Sequence, residues 1–384
     1  MTRRQDYPEV PVPEPTYLAP IVQSKRVIVC CGAGGVGKTT TSAALGLAAA
    51  FAGRRTLVLT IDPARRLAEA MGIPEAAREP TKLDPIRLGP AAEEMKGELW
   101  AWMLHPGVVF EGLIRRLSSS PEKAEEIMKT RLYGHVSNLV AGMQEYTAAE
   151  ALYNLATEGK FDLVVLDTPP SRNALEFLDA PRKLSGFLDE RVINLFLPKQ
   201  GRFFNAASSL ISTVFTKVFG EGFYEELQLF LGAFSGMFGS MRVHAKEVRE
   251  LLMSPESSFV LVTSPEPSAL AEAHFFQKRL EELEVPFEGY VLNRSWAYTR
   301  GFVDPSAAPL PEDAKDALLS GLDKLAPFAE EELQRAARDR ALLTELEGRS
   351  PKRTAVATPH LGGGVEDLSG LVRLAKNLVG DHTD

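Results

Sequence analysis

Cysteine is nearly missing from this chain: of 384 residues only Cys30 and Cys31 carry a thiol, and they are adjacent. Neighbouring side chains in an extended strand point to opposite faces, so this pair suits neither a structural disulfide nor a shared metal site. There is no C-x-x-C for zinc and no thiolate set for an iron–sulfur cluster, so neither cofactor is expected. The six histidines, at 105, 135, 244, 274, 360 and 382, fall into no H-x₃₋₅-H or H-E-x-x-H spacing. Basic charge is short as well. Forty-three Lys and Arg against 51 Asp and Glu leave a net −8, which argues against a dedicated nucleic-acid binder. No run of about 18 uncharged apolar residues occurs, so no membrane-spanning helix is expected. The first twenty residues hold Pro8, Pro11, Pro13, Pro15 and Pro20 among mixed charges, without the apolar core of a secretory leader. Residues 1–23 are therefore read as a flexible Pro-rich tail, and the cysteine usage suits a reducing cytoplasm.

What is present is an ordinary globular composition, 45% hydrophobic and 24% charged. Val27 to Cys31 is a short, wholly apolar run, the pattern of a parallel strand buried on both faces. Gly32-Ala33-Gly34-Gly35-Val36-Gly37-Lys38-Thr39-Thr40 follows. Ala43, Ala44, Leu47, Ala48 and Phe51 then recur at helical spacing until Gly53. A second strand, Thr56 to Ile61, ends at Asp62-Pro63, so strand, helix and strand make a βαβ unit. Further strands are predicted at Phe161–Asp167, Phe259–Thr263, Tyr290–Asn293 and Thr354–Ala357. Helices are predicted over Tyr133–Gly159, Ser268–Leu283 and a closing segment from Val365 to Leu378. Residues 300–350 read as exposed, charged helices. The alternation gives an α/β, doubly wound, mostly parallel sheet spanning residues 24–384.

One stretch departs from it. Residues 187–243 hold ten of the 20 phenylalanines, interleaved with glycines. They are assigned to an inserted α-helical subdomain built from about 90–130 and 180–250. Phe230, Phe234, Met237, Phe238 and Met241 share one helical face. That stripe reads either as the plain core of the subdomain or as an adaptable binding surface.

Gly32 to Thr39 satisfies G-x-x-x-x-G-K-[ST] with a strand before it and a helix after it. In such a loop the backbone N–H groups of Gly34, Gly35, Val36 and Gly37 wrap a phosphate, and the helix N-terminus adds its dipole. Lys38 would bridge the β- and γ-phosphates of ATP, and Thr39 would hold Mg²⁺. Asp62 and Asp167 each end a buried strand on the carboxyl edge, where doubly wound folds bind ligands. Each also fits a plain helix N-cap.

Cys31-Gly-Ala-Gly-Gly-Val-Gly-Lys-Thr-Thr, Leu59-Thr-Ile-Asp-Pro-Ala-Arg-Arg-Leu-Ala and Leu166-Asp-Thr-Pro-Pro-Ser-Arg-Asn resemble three motifs of one family. They are the phosphate loop, switch I and switch II of the arsenite-pump ATPases and of their relatives that deliver tail-anchored membrane proteins. The likeness runs from about residue 24 to 380 and points to the bacterial anion-transporting branch. It implies an ATP- and Mg²⁺-dependent ATPase that dimerises, with itself or a paralogue, around its nucleotides. It further implies that Asp62 orients the attacking water, that Asp167 contacts Mg²⁺ through water, and that Thr40 meets the α-phosphate. Asn293 matches the adenine-reading Asn of the family, although an Asn ending a strand also suits a turn. Pro359, in Thr358-Pro359-His360, would close over the base.

The departures are specific. Most relatives begin the loop Gly-Lys-Gly-Gly, with a lysine that reaches the partner subunit's phosphates; here that position is Ala33. Arg65-Arg66 and Arg172-Asn173 replace the usual His-containing residues of the two switches. Arg65 or Arg172 is therefore expected to supply the missing cation during catalysis, unless these arginines merely solvate a surface. Without further cysteines, arsenite binding is excluded. The resulting expectation is an ATPase whose opening and closing controls a hydrophobic client on residues 187–243. The alternative is a ParA- or MinD-like positioning ATPase acting on DNA or a membrane surface.

Overall fold

The computed structural model describes residues 14–61, 71, 74, 77–118, 120–130, 133, 143–169, 216–217, 222–223, 238–299, 315–361 and 368–380. Eight strands form one sheet: β1 (Val27–Gly32), β2 (Arg55–Thr60), β3 (Thr81–Lys82), β4 (Glu98–Met103), β5 (Leu163–Asp167), β6 (Ser257–Thr263), β7 (Phe287–Ser295) and β8 (Thr354–Pro359). Their order is β3-β4-β2-β5-β1-β6-β7-β8. Every pairing is parallel except that of β3 with β4. β1, β5 and β6 are buried along their whole length, which is why each carries a continuous apolar run, Val27–Cys31, Leu163–Leu166 and Phe259–Val262, rather than an alternation.

Helices cover both faces, as the alternating pattern predicts. On one side lie α1 (Ala19–Ser24), α2 (Lys38–Phe51) and, from the chain's end, α9 (Leu368–Val379). They pack on Ile28, Cys30, Val58, Val165, Val260 and Val262. Between β4 and β5 come α3 (Pro106–Leu117), α4 (Pro121–Lys129) and α5 (Met143–Thr157), followed after β5 by α6 (Phe238–Met253), α7 (Pro267–Glu282) and α8 (Lys315–Arg349). Of these, α5, α6, α7 and α8 cover the other face, over Val29, Cys31, Leu57, Leu59, Leu166 and Leu261. Cys30 and Cys31 thus face opposite cores. Burial pushes the Cys31 thiol up to about 12 and raises that of Cys30 as well, which keeps both in the unreactive protonated form.

Three expectations need correction. Glu98–Met103, inside the 90–130 stretch given to a helical subdomain, is strand β4, in register with β2 from Arg55↔Glu98 to Thr60↔Met103. Its intermediate exposure at Glu98 and Trp100 explains why no continuous apolar run marked it. The charged stretch 300–350 is described from 315 onward, where it forms α8, in which Ala336, Asp339, Leu343 and Leu346 are buried rather than exposed. The long helix read from Tyr133 to Gly159 is described as α5 from Met143 to Thr157, and most of its first ten residues lie outside the described residues. Most of 187–243 also lies outside them.

The third correction concerns the tail. Residues 1–13 lie outside the described residues, but 14–23 are built into the fold. Leu18, Ile21 and Val22, spaced by three and four, are 1%, 2% and 1% exposed in the core against α2 and α9. Pro20 is tolerated because it falls in the first turn of α1, where its missing N–H costs nothing. The Leu18 N–H donates to the Leu378 carbonyl at 2.8 Å. The Thr16 hydroxyl donates to the Ala355 carbonyl at 2.6 Å and accepts from the Ala355 N–H at 3.0 Å. Leu18→Ala or Ile21→Ala should each cost about 2–5 kcal/mol of unfolding free energy. Ile86→Ala, at a position 77% exposed, should leave the denaturation midpoint in place. Equal midpoints for all three variants would show that the segment contributes nothing.

Candidate functional site

The loop between β1 and α2 turns on glycines. Gly35 and Gly37 have φ of +78° and +92°, a region that a Cβ makes costly. Gly37 is also the N-cap of α2, with no side chain capping the helix, so its first N–H groups stay directed into the loop. Gly34 and Gly35 form the exposed tip, while Val36 is buried beneath it. Lys38 is only 6% exposed, and its Nζ donates to the Ala33 carbonyl at 2.7 Å, folding the ammonium back over the loop. The Ala33 side chain is itself 8% exposed and belongs to the core.

Next to the loop stands Asp167, at the carboxyl end of β5 and 0% exposed. Thr39, the second residue of α2, donates its hydroxyl to Asp167 Oδ2 at 2.7 Å. Thr60, the residue of β2 in register with Asp167, donates to the same oxygen at 3.0 Å. Thr168 follows and donates to the Cys30 carbonyl at 2.8 Å, tying the end of β5 to β1. The residues that the sequence singles out as Thr39 and Asp167 are thus in direct contact. Hydroxyl and carboxylate oxygens make a hard donor pair, the kind that Mg²⁺ takes alongside waters and phosphate.

Asn293, near the end of β7, is 7% exposed and meets the loop from the other side. Its Nδ2 donates to the Val36 carbonyl at 2.8 Å, and its Oδ1 accepts from the Thr358 hydroxyl at 2.7 Å. Pro359 ends β8 and pairs in register with Ser295. Just beyond it the His360 ring stacks on Trp296, with centroids 5.4 Å apart and planes 13° from parallel. The turn after β7 is gripped by α8: Asp339, 0% exposed, accepts from the Ser295 hydroxyl at 3.2 Å and the Trp296 N–H at 2.9 Å.

The phosphate loop, Asp167, Asn293 and Pro359 therefore come together on the carboxyl edge of the sheet. Thr40, in the first turn of α2, is half-buried beside them. Asp62, Arg65 and Arg172 lie outside the described residues; Ile61, one residue before Asp62, donates its N–H to the Asp167 carbonyl at 3.2 Å. The sequence reading missed Thr60 and gave Thr358 no partner. A threonine inside a β-rich run is an ordinary strand former; the available signal was its place at the last polar position before the strand's end. Among the described residues no group of His, Cys, Asp and Glu could hold a metal ion by itself, and no helix is long and apolar enough to cross a membrane.

Known proteins share this arrangement of motifs. The profile of the anion-transporting ATPase family matches residues 25–300, well over half of the chain. A protein of Aquifex aeolicus named as an arsenical pump-driving ATPase is 27% identical over 259 residues, covering 65% of this chain but only 58% of its own length. ATPase ASNA1 homolog 1 of Paramecium tetraurelia is 24% identical over 273 residues, 71% of this chain and 75% of its own. ATPase ARSA2 of Chlamydomonas reinhardtii is 25% identical over 292 residues, 74% and 72% respectively. With its phosphate loop between β1 and α2 and Asp167 against Thr39, the chain belongs to the anion-transporting ATPase family and is a P-loop ATPase.

Proposed function

We propose that the chain hydrolyses ATP with Mg²⁺ on the carboxyl edge of the sheet, and that the reaction opens and closes a dimer which handles a hydrophobic client. The observation that carries this reading is the 2.7 Å contact between the Thr39 hydroxyl and the Asp167 carboxylate beside Lys38. It brings the loop, the strand-end acid and the helix N-terminus to one point, as phosphoryl transfer requires. The N–H groups of Gly34 to Gly37 and the dipole of α2 cradle the phosphates. Lys38 leaves the Ala33 carbonyl to bridge the β- and γ-phosphates. Thr39 and, through water, Asp167 would hold Mg²⁺, which when bound would supply positive charge to offset that of the phosphates. Thr40 meets the α-phosphate, Asp62 orients the attacking water, and Asn293 with Pro359 takes the base. Arg65 or Arg172 offsets the charge that a lysine at Ala33 would have met. The resemblance of the loop and switch motifs to those of ATPases that deliver tail-anchored membrane proteins supports a client, for which residues 187–243 are the candidate surface. The action on a membrane surface is disfavoured by α9: Leu371, Leu374 and Leu378 are buried, and Lys376 is paired with Glu94 at 2.9 Å.

Lys38→Ala should abolish ATP turnover and the ATP-dependent dimer measured by light scattering; parental turnover in that variant would remove the phosphate-loop assignment. Thr60→Val deletes one of the two hydroxyls on Asp167 while keeping the strand-forming shape. It should raise the Mg²⁺ concentration for half-maximal hydrolysis by about tenfold, as loss of a partner behind a metal ligand does. An unchanged Mg²⁺ titration would show that Thr60 does not orient the carboxylate. Replacing Phe234 and Phe238 together by Ser should leave basal ATPase and melting temperature near parental if they face a client. A drop matching about 3–5 kcal/mol per Phe would assign them to a plain core.

A further inference from the structure

We propose that Asn293 is a positioning residue for the phosphate loop, a strut that holds the Val36–Gly37 peptide in its anion-binding orientation, and that Thr358 sets the sense of its amide. The inference rests on reading that loop as a phosphate site, and goes beyond any contact of Asn293 with a base.

The geometry starts from an obligatory acceptor. The Val36 carbonyl can only accept, so the amide nitrogen of Asn293 must face it, at 2.8 Å. Oδ1 is then turned to Thr358, whose hydroxyl donates at 2.7 Å. Asn293 is 7% and Thr358 2% exposed, so water competes little for either bond. Contact with the loop is closer still at the next residue: a Cβ on Gly37 would stand 2.1 Å from Asn293 Nδ2. The amide therefore lies against the loop backbone, where Gly37 already adopts φ +92°.

A loop that binds phosphate must turn its N–H groups inward and find partners for its carbonyls elsewhere. At Val36 that partner is Asn293. Removing it frees the peptide between Val36 and Gly37 to rotate and turn its oxygen toward the anion, and the adjoining glycine makes such rotation easy. The strut is anchored at its far end by β8, through Thr358, so three segments far apart in sequence share one polar chain: residues 36–37, 293 and 358. One N–H and one lone pair of the Asn293 amide remain for a ligand.

A base-free probe separates the two roles. Binding of Mg-tripolyphosphate and of Mg-ATP is measured by calorimetry on the full chain and on Asn293→Ala, Thr358→Val and Thr358→Ser. Asn293→Ala should weaken tripolyphosphate binding by about tenfold or more. Thr358→Val should weaken it by about two- to tenfold, the range of one net hydrogen bond, and Thr358→Ser should restore it. Thr358→Val is nearly isosteric, so it carries the test if Asn293→Ala fails to fold. Parental tripolyphosphate affinity in Asn293→Ala, or in Thr358→Val where that variant carries the test, together with weakened ATP binding would make Asn293 a reader of the base alone and overturn the strut. A parental chain that binds neither ligand would defeat the phosphate-site reading itself, an outcome distinct from failure of the strut.

Discussion

A carboxylate held at 0% exposure must be answered, because an isolated buried charge costs several kcal/mol. Asp167 sits at that position, and its answers come from elements that share no other reason to meet. One hydroxyl is from the first turn of α2 and the other from the end of β2, both on the same oxygen. The strand order puts β5 between β2 and β1, so Thr60 and Cys30 are both register partners of Asp167. Loop, helix and three strands are thereby fixed around one acid. The same arrangement that pays the desolvation cost also leaves the acid beside the helix N-terminus where phosphate chemistry takes place.

The parts of the fold that could be read from sequence are those whose burial is two-sided. β1, β5 and β6 each carry a run of four or more consecutive apolar residues and need no context. β4 was hidden because it lies one strand from the edge: Trp100 leaves one side to pack edge-on against Phe161, and Glu98 stays at the surface beside Lys82. α1 was hidden by the prolines around it, although the spacing of Leu18, Ile21 and Val22 is that of any buried helix face. In α8 dense charge suggested exposed helices, yet one helix runs from Lys315 to Arg349 and, among the side chains described, its buried side is a sparse set that includes Ala336, Leu343 and Leu346. Sparse patterns of that kind become legible only once the surface they cover is known.

The site divides along the same line. Glycine and lysine spacing announces the phosphate loop because few other purposes need that backbone. Asp167 was legible from its place at a strand end, and Asn293 from the position it shares with the family's pattern. The threonines that orient them carried no comparable mark, since Thr60 and Thr358 satisfy strand propensity equally well with or without a polar partner. Supporting hydroxyls are thus the layer least visible to sequence reading here, and they decide which way each principal side chain points.

The pairing of Thr16 with Ala355 and of Leu18 with Leu378 has a consequence for biosynthesis. These contacts tie residues 16 and 18 to β8 and to α9, so the α1 segment emerges from the ribosome long before much of the surface that receives it. Leu18, Ile21 and Val22 remain without much of their burial site through most of translation, when such apolar segments are open to chaperones or to wrong partners. β8 also carries Thr358, so Asn293, which holds the loop at Val36, gains its second polar partner in the same late step that seats α1. A nascent chain stalled before that point has a phosphate loop in sequence but lacks a complete pocket.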